Sequence, residues 1–575
     1  MNRKGFAITA VLYSILIVFI LLITFFLKLL SNKINFVINN SNTLESAYEM
    51  SFNHSICSSL NEEYVTIYRG LYKISTSSYN GYLYLPANSK IKSNNDSSIL
   101  VNNEVVSFSS NSNSKYHFVK IQNNSDYSYE GGSCDLSGSA VVYVKTSIKE
   151  LEIIDLAQVN SPILAEGMIP VKWNGSNWVK ADSTNLNNDW YDYKEKKWAN
   201  AVMVRTSRNS RADDSKNRDT YMEAAPGTMI YMGDVLGFLV WIPRYKYELF
   251  NVNSEKMDPI EINVKFEKNI PAKSVGSNNG EWLTHPAFTI GDKELTGIWV
   301  GKFETSGTAS KPTIKAGLIT LTNQKVSAQF ITAQKITSGT TYLTQKGTSQ
   351  IDAHMMKNTE WGAIAYLKQS KYGLGTTDIG NNSYYGSSTP PYKAGCGPKD
   401  ASNLTTYTST CTSYTGEAGV MTSTTGNVYG VYDMAGGAGE YVMGVMQDNT
   451  NTNTPMSGKD SNYNSGFTGK IYNSGNYTLH TGTSFPSSIY YDLYAFGTTD
   501  NDSSAYARRI LGDATSEATT WYADKTYFLT PSAGPWFFRG GYVGYASGAG
   551  LYTYANYPGN ADVWVGFRIA LWNNQ

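Results

Sequence analysis

Between two aromatic, β-branched stretches near the end of the chain, residues 542 to 562 are almost entirely Tyr, Gly, Ala, Ser and Asn. That mixture cannot bury a core of its own. The flanking stretches, Trp536 to Arg539 and Val563 to Leu571, read as strands. The chain is therefore constrained to carry the segment as loop surface on a scaffold built by other residues. Rigid tyrosine rings among small, adaptable polar residues are the composition of a protein-binding loop. Ligand contacts are accordingly expected at Tyr542, Tyr545, Ser547, Tyr552, Tyr554, Asn556, Tyr557, Asn560, Asp562 and Trp564.

Composition narrows the class. Lys and Arg number 47 against 47 Asp and Glu, so no bulk attraction to nucleic acid is expected. Charged residues make up only 16%, and Ser, Thr, Asn, Gly and 43 Tyr take their place, which suits a β-rich extracellular protein. Its 575 residues leave room for two or three domains after an anchor.

The anchor is read at the start. Met1 to Gly5 is short and basic, and Phe6 to Leu27 carries no charge. As a helix this run spans about 33 Å, enough for a bilayer core. Lys4-Gly5-Phe6 before an apolar run resembles a type IV prepilin leader. The resemblance implies cleavage after Gly5, with Phe6 the first mature residue, and other pilin-like subunits as partners. Pilins usually carry Glu at the fifth mature position, and here that residue is Ala10. A minor pilin and a plain signal anchor both stay open. Either places the protein at the cell membrane as a single-pass chain, its bulk outside.

Short alternating runs over 51–160 suggest a small antiparallel β domain. Val171 to Val179 holds an Asn174-Gly175 turn between strand residues, and Trp190 to Trp198 has the same aromatic-turn-aromatic shape. Cross-strand aromatic pairs explain both better than a sugar-stacking platform does. Val235 to Trp241 and Gly297 to Phe303 read as strands, and 335–372 holds one helix with Trp361, Ile364 and Ala365 on its apolar side. The stretches 373–425 and 447–483 read as long loops.

Four cysteines in an exported chain permit two disulfides, naturally Cys57–Cys134 and Cys396–Cys411. Five His stand at no metal-binding spacing, and no phosphate loop, nucleophile elbow or HExxH is present. No catalytic residue, metal or cofactor is therefore expected. Asp433 and Glu440 read as carboxylates that hydrogen-bond a loop-rich core.

Two further resemblances follow from the motifs. Gly426-Asn427-Val428-Tyr429-Gly430-Val431-Tyr432-Asp433-Met434 and on to Tyr441 resembles the "GNxxGLYDMxGNVWEW" stretch of formylglycine-generating-enzyme-like domains. Arg539-Gly540-Gly541 and Gly566-Phe567-Arg568 resemble that family's "RGGSW…GFR" ending, Thr359-Glu360-Trp361 its "PTEAEWEYA" helix, and Val240 to Pro243 its opening strand. The resemblance implies a C-type-lectin-like fold over roughly 230–572. The family's enzymes use a cysteine pair in this lobe, and no Cys follows Cys411. The ending is also similar to the variable proteins of diversity-generating retroelements, which display hypervariable binding residues.

The fold class expected is thus α+β. It comprises a leader (1–5), a transmembrane and stalk helix (6–50), a small β domain (51–160), aromatic hairpins and linker (161–225), and a C-type-lectin-like mixed domain (226–575). The function expected is a surface-displayed, adhesin-like binding protein whose partner is an extracellular protein or a glycan. A structural minor pilin or secretion-complex subunit is the alternative, and a formylglycine-generating-type enzyme the third reading.

Overall fold

The computed structural model describes eight short strands between Tyr48 and Thr146, and residues 159–573 apart from 184–189, 337–350, 386–390 and 451. The chain divides into two compact units, Met1–Ala157 and Gln158–Gln575. In the first unit Tyr48–Ser51 pairs with Tyr143–Thr146, Asn80–Gly81 with Phe108–Ser109, Lys90–Lys92 with Ile99–Val101, and Asp126–Tyr129 with Gly132–Asp135, all antiparallel. The leader with Gly5 and Phe6, the apolar run to Leu27 and the Cys57–Cys134 pairing lie outside the described residues.

The α+β expectation is overturned. Strands dominate the described residues, and their longest helix is Asn358–Lys368, with 11 residues. Among the described residues no helix is long and apolar enough to cross a membrane. The stalk helix is corrected at its end, because Tyr48–Ser51 is a strand. The physical reason is compositional: Tyr, Thr, Val and Ile favour a pleated, half-buried surface, and Gly and Asn break helices at short intervals.

The second unit is built on a sheet ordered Trp178–Lys180, Met168–Trp173, Asn200–Val204, Val235–Pro243, Gly297–Gly301, Ile569–Asn573, Ile351–Met355, each neighbour antiparallel. The hairpin forms as expected, but Asn174 faces Asn177, so its two turn residues are Gly175 and Ser176, with Gly175 at φ +100° where a side chain would be strained. Its flanking Trp173 and Trp178 meet edge to face at 5.6 Å. The stretch 161–225 is no linker, since Asn200–Val204 lies inside this sheet, buried along its whole length. Trp178, Trp190 and Trp198 are core residues rather than exposed stacking faces, and Trp173 is half-buried against Trp178.

A second sheet runs Asp492–Tyr494, Gly439–Met446, Trp536–Arg539, Tyr554–Tyr557, with Val565–Phe567 beside Gly439 to Tyr441. The expected strand Val563 to Leu571 is therefore two strands in two sheets, and the chain changes sheet at Arg568. The Arg568 guanidinium secures that crossing. It donates from Nη1 to Gly301 O at 2.9 Å and holds both carboxylate oxygens of Glu440, at 2.5 and 3.1 Å. The stretch 447–483 is also more than a loop, since Met456–Gly458, Gly469–Asn473 and Asn476–His480 form a small sheet.

The helix lies where its apolar side predicts, and all of it is buried. Glu360 accepts from Lys357 N at 2.8 Å, and Asp492 accepts from Thr359 N at 2.7 Å, so two carboxylates satisfy the open first turn. The glycine-rich run 426–441 is fastened to the first sheet by Lys302. Its ammonium donates to Asn200 Oδ1, Val428 O and Gly430 O at 2.8, 2.6 and 2.9 Å, among the rings of Trp178, Phe238 and Tyr432. Burial holds the Lys302 pKa well below its ordinary value. Cys396 and Cys411 form the expected disulfide, with Cα atoms 4.8 Å apart. Closing a loop of that length stabilises by about 3 kcal/mol in the chain-entropy model.

Candidate ligand-binding face

Trp536–Arg539 and Tyr554–Tyr557 pair antiparallel, with Trp536 opposite Tyr557 and Arg539 opposite Tyr554. This hairpin sets which side chains of the final segment turn outward. Alternation puts Tyr554 and Asn556 on one side of the strand and Ala555 and Tyr557 on the other. Tyr554 enters the core, where its ring meets Phe528 and Phe537, and its hydroxyl donates to Thr519 Oγ1 at 3.2 Å. Asn556 donates to Phe528 O at 2.9 Å. Tyr552 is buried too, edge-on to Trp521 at 5.0 Å, with its hydroxyl donating to Gln369 Oε1 at 3.0 Å.

Tyr552 and Tyr554, expected as ligand contacts, are thus corrected to core residues; both are 0% exposed. Their rings satisfy hydroxyl and apolar surface together only inside the fold.

The remaining expected residues gather at the surface. After Arg539, Gly540 and Gly541 take φ +77° and +66°, turning the chain into a short 3-10 stretch, Val543–Gly548. Tyr542 and Tyr545 leave this turn half-buried, with ring centres 4.7 Å apart. Tyr542 packs on Trp564 at 5.1 Å, Tyr545 on Phe538 at 5.8 Å, and Tyr557 stacks on Phe538 at 5.2 Å. Ser547 is exposed at the tip.

Asp562 organises the return: it accepts from Trp564 N at 2.9 Å and from the Tyr557 hydroxyl at 3.3 Å. Asn560 presents its own carbonyl to the Tyr441 hydroxyl at 3.2 Å. Tyr542, Tyr545, Tyr557 and Trp564 therefore form one half-exposed aromatic strip, with Ser547, Asn560 and Asp562 at its edges.

Two residues outside the expected segment complete it. Tyr392 packs on Trp564 at 6.1 Å; it is buried, yet its hydroxyl has no hydrogen-bond partner among the described residues. Lys525 sits 4.1 Å above the Tyr545 ring. No local pattern marks them, because each reaches the strip through a contact distant in sequence. The Tyr545 hydroxyl pKa is pushed up to about 12, by burial first and by its neighbours Tyr542, Tyr527 and Asp562. It stays a neutral donor and acceptor at neutral pH.

Beneath the strip lie the carboxyl groups of the 426–441 motif. Asp433 accepts from Gly395 N at 2.8 Å and Asn382 Nδ2 at 2.9 Å, and Glu304 accepts from Ala438 N at 2.9 Å. Burial pushes Asp433 up to about 6 and Glu440 up to about 7, and raises Glu304 well above the usual carboxylate range. These groups are fully enclosed and hold loops together, the role expected of Asp433 and Glu440. Among the described residues no group of three or more His, Cys, Asp or Glu is placed to hold a metal. A cleft of about 730 Å³ between Lys256–Pro259 and Thr520, Tyr522 and Ala523 contains none of the expected residues.

Comparison with protein-family models finds no match, and comparison with curated proteins finds no similar sequence.

Proposed function

We propose that this chain is a cell-surface binding protein, held at the membrane by its apolar N-terminal run and recognising an extracellular partner through the strip of Tyr542, Tyr545, Tyr557 and Trp564. The observation that carries the reading is that these four rings are half-exposed and held in place, Tyr542 against Tyr545 and Trp564, and Tyr545 and Tyr557 against the shared ring of Phe538. A ring already fixed loses little conformational freedom on binding, so its contact area converts into affinity. Ser547, Asn560 and Asp562 set polar detail around the strip, while Asn556, on the opposite side of its strand from Tyr557, ties that strand to Phe528 O. Tyr552 and Tyr554 act one layer below, as the floor that keeps it rigid. The prepilin-like leader supports export, and the similarity to retroelement-diversified proteins supports a role in recognition.

A broad, ring-studded surface fits a protein partner better than a single sugar, which asks for a concave site. The test uses the whole protein displayed on cells, screened against labelled partner cells and against a glycan array. Ser547→Arg, which blocks the tip without touching the core, and Tyr545→Ser should each cut binding to cells by about tenfold or more, with Tm lowered by no more than about 2–4 °C. Binding retained by both variants overturns the proposal, and a signal confined to the glycan array replaces the protein partner with a saccharide.

A further inference from the structure

We infer that the loop closed by Cys396–Cys411 is the second wall of this face, and that the bridge holds the aromatic segment in its binding shape. The inference rests on the reading of the strip as a recognition surface and extends it to residues that no motif marks.

The path is continuous along the backbone. From inside the closed loop, Leu404 O accepts from Asn381 N at 2.8 Å, and Thr408 N donates to Ser383 O at 3.2 Å. Ser383 is further tied to the bridge, its N donating to Cys396 O at 3.2 Å and its hydroxyl to Gly397 O at 2.7 Å. Asn382 O then accepts from Gly437 N at 2.8 Å, and Gly437 O accepts from Val543 N at 3.1 Å. Two residues on, Gly439 N donates to Trp564 O at 2.9 Å. Both ends of the aromatic strip thus hang from a turn whose far side is pinned by the closed loop.

Side chains follow the same path. Tyr407, from within the loop, packs on the small cluster of Tyr392, Ala438 and Val543, the cluster that Tyr542 and Trp564 also cover. Asn381 Nδ2 contacts Ala546 O at 3.4 Å. Tyr385 stands 51% exposed beside this wall, and Lys393 lies 5.1 Å from the Tyr384 ring, matching Lys525 over Tyr545 on the other side. The partner that fits is a protein surface with an apolar centre and carboxylates at its rim. The strip's own acid, Asp562, is already spent on Trp564 N and the Tyr557 hydroxyl.

The test is amide hydrogen exchange on the full chain. In Cys396→Ala/Cys411→Ala, exchange at Val543 and Gly439 should quicken by about tenfold, while Val240 and Trp299, paired with sheet neighbours, keep their rates. Tyr407→Ala, with the bridge intact, should loosen the same amides to a smaller degree. Unchanged exchange at Val543 and Gly439 in both variants overturns the inference and leaves the proposed function standing. If the double variant unfolds as a whole, Tyr407→Ala decides alone: faster exchange supports, an unchanged rate overturns. Loosening in these variants together with undiminished binding by Ser547→Arg and Tyr545→Ser keeps the inference and removes the recognition role.

Discussion

Tyr552 and Tyr545 belong to the same tyrosine-rich segment, yet they do different work. Tyr552 is closed in by Trp521, Tyr522 and the end of the helix. Tyr552→Ala leaves a large void and removes one of the hydrogen bonds to the Gln369 side chain, so it should cost about 3–5 kcal/mol. Tyr545→Ser should cost about 1 kcal/mol. Urea denaturation separates the two, and equal losses would contradict an inward Tyr552 and an outward Tyr545.

Sequence could not make this distinction. The tyrosine, glycine and serine palette marks a segment, but the inward or outward sense of each ring is set by its phase against Trp536–Arg539. That phase is a pairing register, which period and composition do not encode. Glu517 is a second residue no pattern marks. It is buried, and accepts from the hydroxyls of Tyr247 and Tyr366 at 3.1 and 3.0 Å and from Gly512 N at 2.6 Å. Burial pushes its pKa up from 4.5 to about 7. A raised carboxyl favours the protonated fold, so its stabilisation is complete below pH 4.5 and is lost as pH rises through about 7. Against Glu517→Gln, which stays neutral, the wild type should lose on the order of 3 kcal/mol between pH 5 and 8. Parallel stability curves for the two proteins would refute this.

At the scale of elements, the strands that carry dense apolar or aromatic runs were legible: Val235–Pro243, Gly297–Gly301, Trp536–Arg539 and the Asn174-Gly175 hairpin. So was the Cys396–Cys411 bridge. The break at Arg568 was not, because Val563 to Leu571 reads as one uninterrupted strand. What divides it is a buried ion pair that only the assembled sheets create. Arg568→Ala leaves Glu440 enclosed without its cation, and Arg568→Lys loses the two-pronged grip. Each should cost about 3–5 kcal/mol at neutral pH. Arg568→Met with Glu440→Met removes both charges and should cost clearly less than the two single changes added together. A double-mutant cycle by denaturant unfolding measures the difference; additive losses would mean that the pair does not join the sheets.

For the whole molecule, the abundance of tyrosine pointed to an outer surface, and the structure divides it. Tyr221, Tyr245, Tyr247, Tyr366, Tyr432, Tyr441 and Tyr494 are wholly enclosed beside Trp178, Trp198, Trp241, Trp299, Trp361, Trp521 and Trp536. In a chain this sparing of charge, an aromatic interior supplies the apolar burial that aliphatic residues give in other proteins. The boundary of this interior also differs from the one composition suggests. Stretch 161–225 reads as aromatic hairpins followed by a linker, but beyond the expected hairpin of Met168–Trp173 and Trp178–Lys180 it supplies a third strand of the first sheet, Asn200–Val204. The last strand, Ile569–Asn573, lies between Gly297–Gly301 and Ile351–Met355. Both ends of Gln158–Gln575 are therefore sewn into one sheet, and every strand of that sheet comes from within the unit. Residues 158–575 expressed alone should melt in one cooperative step, within about 3 °C of the same transition in the full chain. Removing 568–575 instead takes out an interior strand and should abolish the step. Near-ultraviolet circular dichroism reports both through the buried tryptophans; a broad, sloping melt of 158–575 would show that its sheet cannot stand without the preceding residues.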